Sequence, residues 1–396
     1  NVRGGGVDQN LVLLDDAPVY NSSHLFGFFS VFNPDAVKDV KLYKGGIPAQ
    51  YGGRASSILD VKMKEGNSKK LEVNGGIGVI FSRFSIEAPI IKDKASFIFA
   101  ARRSYIDILA KPFLTGNNAN ASFNFYDLTA KVNYNINAKN TVFLSGYFGR
   151  DVFGTSFGFN WGNGTISSRW NHVFSEKLFM NATAFYSNYD YLLDSDIENK
   201  RPNDSFKWSS NIENLSIKPD FTYYVNPTNT ISFGGQILSY EFKPGKAIAT
   251  STGEKREFGQ ANKKGTESSA YISQELKISP VFSFQYGMRY SYYDYKSLNG
   301  EYYDRVKVPI STENASGYIL KINKTDPTTT VASYGNWEPR LSLNLNVGQN
   351  ASLKTSYNRL AQYVHLMSNT AASTPLDVWT SSTNNIKPQL ADQVAM

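Results

Sequence analysis

The sequence contains no cysteine and only three histidines in 396 residues. The absence of cysteine excludes disulfides and thiolate metal sites, and it is compatible with an oxidising compartment without requiring one. The histidines, His24, His172 and His365, lie far apart in the sequence, and none has metal-ligand spacing to another. The sequence therefore predicts neither a resident metal site nor a bound cofactor.

Motifs for catalysis are also missing, because the sequence has no nucleophile elbow and no phosphate-binding loop. Arg3 to Gly6 reads RGGG, but the lysine and helix that would complete a phosphate cradle do not follow. The net charge of +7 is modest, and the positive side chains are spread over many segments instead of being interleaved with aromatic residues in one groove. These absences disfavour an enzyme and a nucleic-acid-binding protein.

Long hydrophobic runs are absent as well, since no segment approaches the roughly 18 consecutive apolar residues of a membrane helix. Hydrophobic residues nevertheless make up 41% of the chain and aromatic residues 14%. The mean hydropathy of -0.37 does not exclude a membrane protein, because barrel strands place a polar residue at every second position. Any membrane insertion would have to be as a closed β-barrel, which satisfies every backbone polar group in lipid.

From Leu71 onward, runs rich in Tyr, Phe, Val and Thr are separated by gaps that alternate between short and long. The short gaps have turn chemistry and lie at residues 91–94, 136–140, 174–177, 224–229, 279–280 and 347–350. The long gaps lie at residues 104–124, 152–163, 194–210, 244–267, 296–336 and 362–387. This alternation indicates antiparallel neighbours with all the elaboration at one end, as in outer-membrane barrels. We count about thirteen strands, with a fourteenth beginning near Gln389.

The strands have one apolar and one polar face, as residues 126–136, 282–291 and 340–346 illustrate. A soluble β-sandwich would bury the apolar face and a membrane barrel would turn it to lipid, and periodicity alone does not separate the two. Strand lengths of about 9 to 14 residues favour a tilted membrane crossing. Tyrosines at strand ends, such as Tyr290 and Tyr292, suit an interfacial aromatic girdle.

Residues 1–66 differ in kind from the rest. We predict a compact α/β domain with a strand at residues 10–14, a short helix at 34–39 and strands at 40–44 and 58–64, followed by a barrel over residues 67–396. Paired glycines at Gly45 and Gly52 mark tight turns or close backbone approach.

The run VRGGGVDQNLVLLDDAPVYN, followed by DAVKDVKLYKGGIPAQYGGRASSILDVKMK, resembles the plug signature of TonB-dependent outer-membrane receptors, in the variant typical of Bacteroidetes-type bacteria. The resemblance continues through residues 271–291 and 337–369. One departure is Asp16, where the family usually has glycine, and aspartate also tolerates turn conformations. The resemblance implies a mostly β fold in which a plug closes a barrel of about 22 strands. Against that pattern we expect the chain to be truncated at both ends.

The resemblance also implies a function. It predicts energised uptake of a nutrient, which is a glycan, a peptide or a metal chelate, driven by TonB with ExbB and ExbD through a segment that is not among these residues. The protein would lie in the outer membrane of a Gram-negative cell, in contact with lipid and lipopolysaccharide, with long loops extracellular and short turns periplasmic. A lipoprotein or a larger envelope complex is a further possible partner. Two alternatives stay open: a receptor-like barrel that serves as a structural subunit, and an outer-membrane barrel enzyme.

Candidate site residues follow from the same resemblance. A polar and aromatic plug loop would face the ligand, unless it only packs the plug into the barrel: Asn21, Ser22, Ser23, His24 and Phe26. Two plug arginines, Arg3 and Arg54, would pair with lumenal carboxylates, for which alternation suggests Asp127 and Glu241, unless the arginines are simply solvated. A basic loop would face lipopolysaccharide phosphates, an anionic ligand or solvent: Lys255, Arg256, Lys263 and Lys264.

Overall fold

The computed structural model describes residues 2, 4–116, 121–154, 157–195, 205–251, 254–310, 317–348, 351–367 and 377–396. Arg3 lies outside the described residues. The described chain consists of a small N-terminal sheet, which we call the plug, and one large antiparallel sheet, which we call the wall.

The plug is built from six short strands: β1 (Asn10–Leu14), β2 (Ala17–Pro18), β3 (Ser23–His24), β4 (Phe29–Ser30), β5 (Val37–Tyr43) and β6 (Ser57–Met63). Four of them form a sheet in the order β2-β1-β6-β5, and β3 pairs with β4 in a separate hairpin. β1 and β6 are parallel, whereas β5 and β6 are antiparallel. The three strands that the sequence predicts in this domain are confirmed as β1, β5 and β6.

The short helix expected over residues 34–39 is wrong. Asn33 Oδ1 accepts from the backbone N–H of Asp35 at 3.0 Å, and the N–H of Ala36 donates to the carbonyl of Asn33 at 3.0 Å. This closes a single turn, after which Val37 begins β5 opposite Met63. An asparagine side chain that bonds the backbone two residues on favours a turn over a helix. The helical content of the described plug is limited to 3-10 turns at Val7–Gln9 and Leu25–Gly27.

The rest of the chain is mostly strand: β7 (Glu72–Ile77), β8 (Phe81–Ile91), β9 (Ala95–Ser104), β10 (Ser122–Asn137), β11 (Asn140–Gly154), β12 (Gly158–Val173), β13 (Leu178–Asp194), β14 (Ser205–Asn226), β15 (Asn229–Ser251), β16 (Glu254–Gly259), β17 (Lys263–Lys277), β18 (Phe282–Ser297), β19 (Glu301–Lys307), β20 (Tyr318–Lys324), β21 (Thr330–Asn346), β22 (Ser352–Gln362), β23 (Val364–Met367), β24 (Val378–Ser381) and β25 (Gln389–Ala395). A helix, α1 (Ile106–Ala110), and a 3-10 turn (Lys111–Phe113) lie between β9 and β10. Over the described residues, no helix has the length and apolar character needed to cross a membrane.

The wall is a 15-stranded sheet in which each strand pairs with its neighbour along the chain, from β7 to β25, while β16 pairs off this path with β15. The hairpins β19-β20 and β23-β24 are separate from it. Fourteen strands therefore follow one another in the described wall, and the last begins at Gln389, where the sequence predicts a fourteenth strand. We call the end of the wall that carries α1 and these two hairpins the long-connection end.

Several strands are longer than expected. β14 and β15 have 22 and 23 residues, whereas about 9 to 11 tilted residues cross a bilayer. The predicted long gap at residues 152–163 is mostly strand, since β11 ends at Gly154 and β12 begins at Gly158. These strands extend beyond the part of the wall whose outer face is apolar, which we call the apolar band. Beyond that band, apolar and polar residues no longer alternate clearly in the sequence.

The two faces of the wall decide between a membrane barrel and a soluble sandwich. On β10 the apolar Leu128, Val132 and Ile136 are 41%, 38% and 44% exposed, while the polar Asp127 and Lys131 are 0% and 2% exposed. A soluble sandwich would show the opposite arrangement. The same polarity holds on β18, where Met288 is exposed and Arg289 is buried. The apolar face turned outward is the arrangement of an outer-membrane barrel.

Candidate functional site

The plug lies inside the curved wall, whose side chains bond directly to the plug backbone. Asn163 of β12 accepts from the N–H of Tyr20 at 3.1 Å and donates to the carbonyl of Asn21 at 2.7 Å. Other wall side chains bond the plug backbone in the same way, from strands between β9 and β25: Ser96, Arg102, Lys131, Ser187, Arg289, Arg340, Asn358, Gln362 and Gln393. The contact between plug and wall, which we call the seam, therefore contains many polar bonds, alongside apolar contacts such as that of Tyr20 with Tyr189.

The turn between β1 and β2 places two carboxylates in this seam. Asp15 and Asp16 adopt left-handed backbone angles, with φ of 45° and 74°. The Nζ of Lys131 on the wall lies 2.9 Å from Asp15, and Asp16 is held by Lys62 at 2.9 Å and by Arg169 at 3.5 Å. Burial opposes ionisation of Asp16, but Lys62 and the neighbouring wall cations outweigh it and hold the pKa of Asp16 below its usual range.

His24 connects the other side of the plug to the wall. Its Nδ1 lies 2.7 Å from the carboxylate of Asp151 on β11, and its Nε2 lies 3.4 Å from the carboxylate of Asp127 on β10. Asp151 also accepts from the N–H of Leu25 at 2.7 Å. Burial alone would lower the pKa of His24, but the two carboxylates outweigh burial and raise its pKa above the usual value.

The expected ligand-facing loop divides into buried and exposed residues. Ser22 and Phe26 reach the surface, and Phe26 is 53% exposed. His24 is almost completely buried against the wall, so direct contact between His24 and a ligand is not available in this arrangement. The Oδ1 of Asn21 accepts from the N–H of Ser23 at 3.2 Å, which places both residues in the shape of the loop itself. Sequence reasoning did not include Phe28, which is 83% exposed beside them.

The expected pairing of plug arginines with Asp127 or Glu241 is wrong for Arg54. Asp127 is lumenal as predicted, but its partners are Arg102 at 2.7 Å and His24. Glu241 points outward, because its neighbours Tyr240 and Phe242 face the lumen, and it lies 3.4 Å from Lys243.

Arg54 is buried, and its guanidinium lies 5.5 Å from the ring centre of Trp379. Its Nη1 donates to the carbonyl of Gly53 at 2.9 Å.

Sequence reasoning missed a buried charge cluster on β17, β18 and β21. Arg289 lies 3.5 Å from Glu267 and 3.8 Å from Glu338, and Arg340 lies 3.0 Å from Glu338. Both arginines also donate to plug carbonyls, Arg289 to Gln50 at 3.4 Å and Arg340 to Ile47 at 3.3 Å. Alternation in the sequence places both arginines on the polar face, but it does not show which plug atoms they meet.

The hairpin β23-β24, which the sequence shows only as part of a long gap, folds into the lumen above the plug. Trp379 packs edge-on against Tyr20 with ring centres 4.9 Å apart. The hydroxyls of Ser381 and Tyr293 lie 2.6 Å apart, and the N–H of Leu366 donates to Asp8 at 3.3 Å. The hairpin therefore contacts both plug and wall.

His365 belongs to the same buried hairpin, and its Nε2 lies 2.8 Å from the hydroxyl of Ser382. Burial lowers the pKa of His365 to about 4, although Asp8 acts in the opposite direction.

Two neighbouring cavities open at the long-connection end. The rim chamber has a volume of about 640 Å³ and is bordered by Asp190, Asn211 and Lys243. The hairpin chamber has a volume of about 370 Å³ and is bordered by Lys263, Met367 and Ile386. Both chambers are bordered by Gln260, Glu301 and Tyr303. Their volumes fall in the usual range of ligand sites, about 300 to 1,000 Å³.

The predicted basic loop is part of this region but is mostly strand. Lys255 and Arg256 lie on β16 and are exposed, and Lys264 on β17 is exposed as well. Lys263 differs, because it is partly buried and borders the hairpin chamber. Across the described ranges, no three His, Cys, Asp or Glu side chains come together as a group that would hold a metal ion.

The chain matches one family model and the fold of a group of solved structures. Residues 1–57 match the family model of the TonB-dependent receptor plug domain. No curated protein is a significant match to the chain.

Solved structures match over most of the chain. The siderophore receptor PiuA from Acinetobacter baumannii has a TM-score of 0.63 and 12% identity, and the match covers 92% of this chain and 58% of that one. The FrpB iron transporter from Neisseria meningitidis, F5-1 variant, has a TM-score of 0.61 and 13% identity, with 91% and 58% covered. The copper transporter OprC has a TM-score of 0.61 and 10% identity, with 90% and 55% covered.

The chain thus spans a little over half the length of these proteins, which are receptors and transporters by name. At such identities the similarity concerns the fold alone.

Proposed function

We propose that this chain, which carries the plug domain and the barrel fold of a TonB-dependent outer-membrane receptor, works in the energised uptake of a nutrient. The long-connection end would face the outside of the cell and receive the ligand. The plug would close the passage at rest, and TonB, energised by ExbB and ExbD, would displace it from the periplasmic side.

The observation that supports this proposal best is the polar seam. A plug packed by apolar surface alone would expose that surface whenever it moved, at about 25 cal/mol for each Å². Here wall side chains such as Asn163, Gln362 and Arg340 bond the plug backbone, and water can replace each of these bonds at a small net cost. Such a seam suits a domain that moves reversibly within the barrel.

The side chains that border the chambers favour an organic ligand. The relatives in fold are named for iron, copper and siderophore uptake. The rim chamber instead presents amides, hydroxyls and tyrosines, including Asn211, Asn262, Ser209 and Tyr303. Its charged residues are mostly paired, as Lys246 is with Glu257 at 2.7 Å. We propose that a ligand with many hydrogen-bonding groups is taken up rather than a bare metal ion.

Plug displacement can be tested without knowing the ligand. Ser187 on β13 is fully buried by the plug, and its hydroxyl donates to the carbonyl of Pro18 at 2.6 Å. Since these 396 residues contain no cysteine, a Ser187→Cys variant can be labelled with a membrane-impermeant maleimide in living cells. We expect labelling in cells with TonB and at least a tenfold slower reaction in cells without it.

Phe113→Cys is the matched control, because Phe113 is exposed on the connection after β9 and needs no plug movement. It should react equally with and without TonB. Equal labelling of Ser187→Cys in the two strains would contradict the proposed function.

A further inference from the structure

Lys263 differs from the other lysines of its surroundings in its partners. Lys243 lies 2.9 Å from Glu213, and Lys246 lies 2.7 Å from Glu257. Lys263 instead donates to two neutral oxygens, Thr380 Oγ1 at 2.8 Å and Gln260 Oε1 at 3.3 Å. In the described part of the chain, no carboxylate lies within ion-pair distance of it.

An ammonium group has three N–H donors, so the contacts of Lys263 leave one donor free at the border of the hairpin chamber. The side chain is also partly withdrawn from water, and a charge in such a position is costly unless an opposite charge joins it. The free donor and the unpaired charge therefore fit an anionic group of a ligand.

Glu301 supplies the opposite charge in the same chamber. It is the first residue of β19 and borders both chambers, and within the described ranges it has no ion-pair partner. Its carboxylate fits an ammonium group of a ligand. One cation and one anion, each without an ionic partner, thus border a single cavity.

The remaining border of the hairpin chamber combines apolar side chains with a few neutral polar ones such as Gln260 and Thr383. Tyr295, Leu320, Met367 and Ile386 present rings and aliphatic groups to the cavity. The position of β19 is fixed by Asn384, which donates to the carbonyl of Tyr303 at 2.8 Å and to Asp304 at 2.7 Å. A border held in place in this way reduces the entropy lost on binding.

We propose that the hairpin chamber binds short peptides, with the peptide carboxylate on Lys263 and the peptide amino group on Glu301. Apolar residues of the chamber receive the peptide side chains, and the rim chamber accommodates longer members. A neutral glycan can offer hydroxyl hydrogen bonds to both residues but carries no charge to pair with either of them. This inference rests on the proposed uptake function and names its substrate class.

The test uses the purified protein in detergent and three synthetic pools of random tripeptides: one with free ends, one amidated at the carboxyl end and one acetylated at the amino end. Retention on the immobilised protein is measured by mass spectrometry. A hydrogen bond to a charged group contributes about 1.5 to 3 kcal/mol, or a factor of ten to a hundred or more. We expect the free pool to be retained at least ten times better than either blocked pool.

Charge-neutral variants locate the effect. In Lys263→Gln the free and amidated pools should be retained equally, and in Glu301→Gln the free and acetylated pools should be. Lys277→Gln is the control, because Lys277 is exposed at the other end of the same strand, β17, and it should keep the preference of the unmodified protein. Matching circular dichroism spectra and heat-modified gel mobility establish that each variant is folded.

Equal retention of the three pools by the unmodified protein, or no retention of any, would overturn the peptide assignment. The same holds if Lys263→Gln keeps its preference for free carboxylates. None of these outcomes affects the TonB-dependent labelling of Ser187→Cys, so failure of the peptide assignment and failure of the uptake function are distinguishable.

Discussion

His24 joins the plug to two wall strands through a single imidazole. Asp151 and Asp127 lie on its two ring nitrogens, at 2.7 Å and 3.4 Å, and Phe125 stacks on its face with ring centres 4.5 Å apart. Both ring nitrogens donate only when the imidazole is protonated. The contact is therefore strongest in the charged form.

We predict that this contact makes the stability of the protein depend on pH. Because the pKa of His24 is raised in the folded protein, its contribution is complete below the ordinary value of about 6.5 and is lost as pH rises through the higher folded value. The thermal unfolding temperature of the unmodified protein should exceed that of His24→Gln at about pH 5, and the difference should shrink toward about pH 9.

His172→Gln is the control for this measurement, since His172 bonds Asn140 near a short turn and has no carboxylate partner among the described residues. Its difference from the unmodified protein should not vary with pH in the same way. A pH-independent difference for His24→Gln would show that the imidazole is uncharged in the plug.

For single residues, alternation correctly predicts that Asp127 faces the lumen, but it wrongly places Glu241 there as well. Near the membrane, apolar residues such as Ile237 face outward. Three to five residues later on the same strand, Tyr240 and Phe242 face the lumen and Glu241 faces outward. The strand has by then left the apolar band, so polarity no longer tells the inner face from the outer face.

The sequence does not predict which residues the buried charged side chains contact. Arg54 and Trp379 are far apart in sequence, and so are Lys131 and Asp15. Their contacts depend on how the plug is rotated inside the wall, and no local pattern encodes that rotation.

Among the elements, the hairpin β23-β24 couples the chambers to the plug. Its residues Thr380 and Met367 are part of the chamber region, and its Trp379 packs on Tyr20. A ligand in the hairpin chamber would therefore touch an element that itself touches the plug.

We predict that Trp379→Ala releases this hairpin from the plug. Replacing a buried tryptophan by alanine costs about 3 to 5 kcal/mol, and here the cost falls on a short hairpin rather than on the whole fold. Hydrogen exchange of the amides in β23 and β24 should become at least tenfold faster.

Trp337→Ala is the matched control, because Trp337 is exposed on the outer face of β21. The exchange of β23 and β24 should not change in this variant. Unchanged exchange in Trp379→Ala would show that the hairpin is held by its hydrogen bonds alone.

The elements differ in how well the sequence predicts them. Strands inside the apolar band, such as β10 and β18, are found by alternation, whereas β1 of the plug is found by its short apolar run. The sequence after Asn33 predicts a helix where the structure has a turn, because a proline followed by Asp and Ala also begins helices. The hairpin β23-β24 has no alternation to mark it, since most of its residues are buried whichever face they are on.

For the whole molecule, the outward apolar face predicts where charge is tolerated. Ile272 on β17 is 56% exposed and Ile310 after β19 is 78% exposed. In water, arginine would be accepted at both positions. In a bilayer, Ile272→Arg should lower the unfolding free energy by about 2 to 4 kcal/mol, while Ile310→Arg should change it little.

The measurement is denaturant unfolding of the protein in lipid vesicles. The same two variants in detergent-free buffer with a solubilising polymer provide the comparison without a bilayer. Equal effects of the two substitutions in vesicles would contradict a lipid-facing position for Ile272.

The polar seam affects both how often the plug is released spontaneously and how much force is needed to displace it. At rest, spontaneous release of the plug needs many weak contacts to break together, so the rate of accidental opening falls exponentially with their number. A steady pull breaks them one after another, so the force required depends on the strongest single contact. Under the proposed uptake function, a plug held in this way would stay closed for long periods and still open under a modest force.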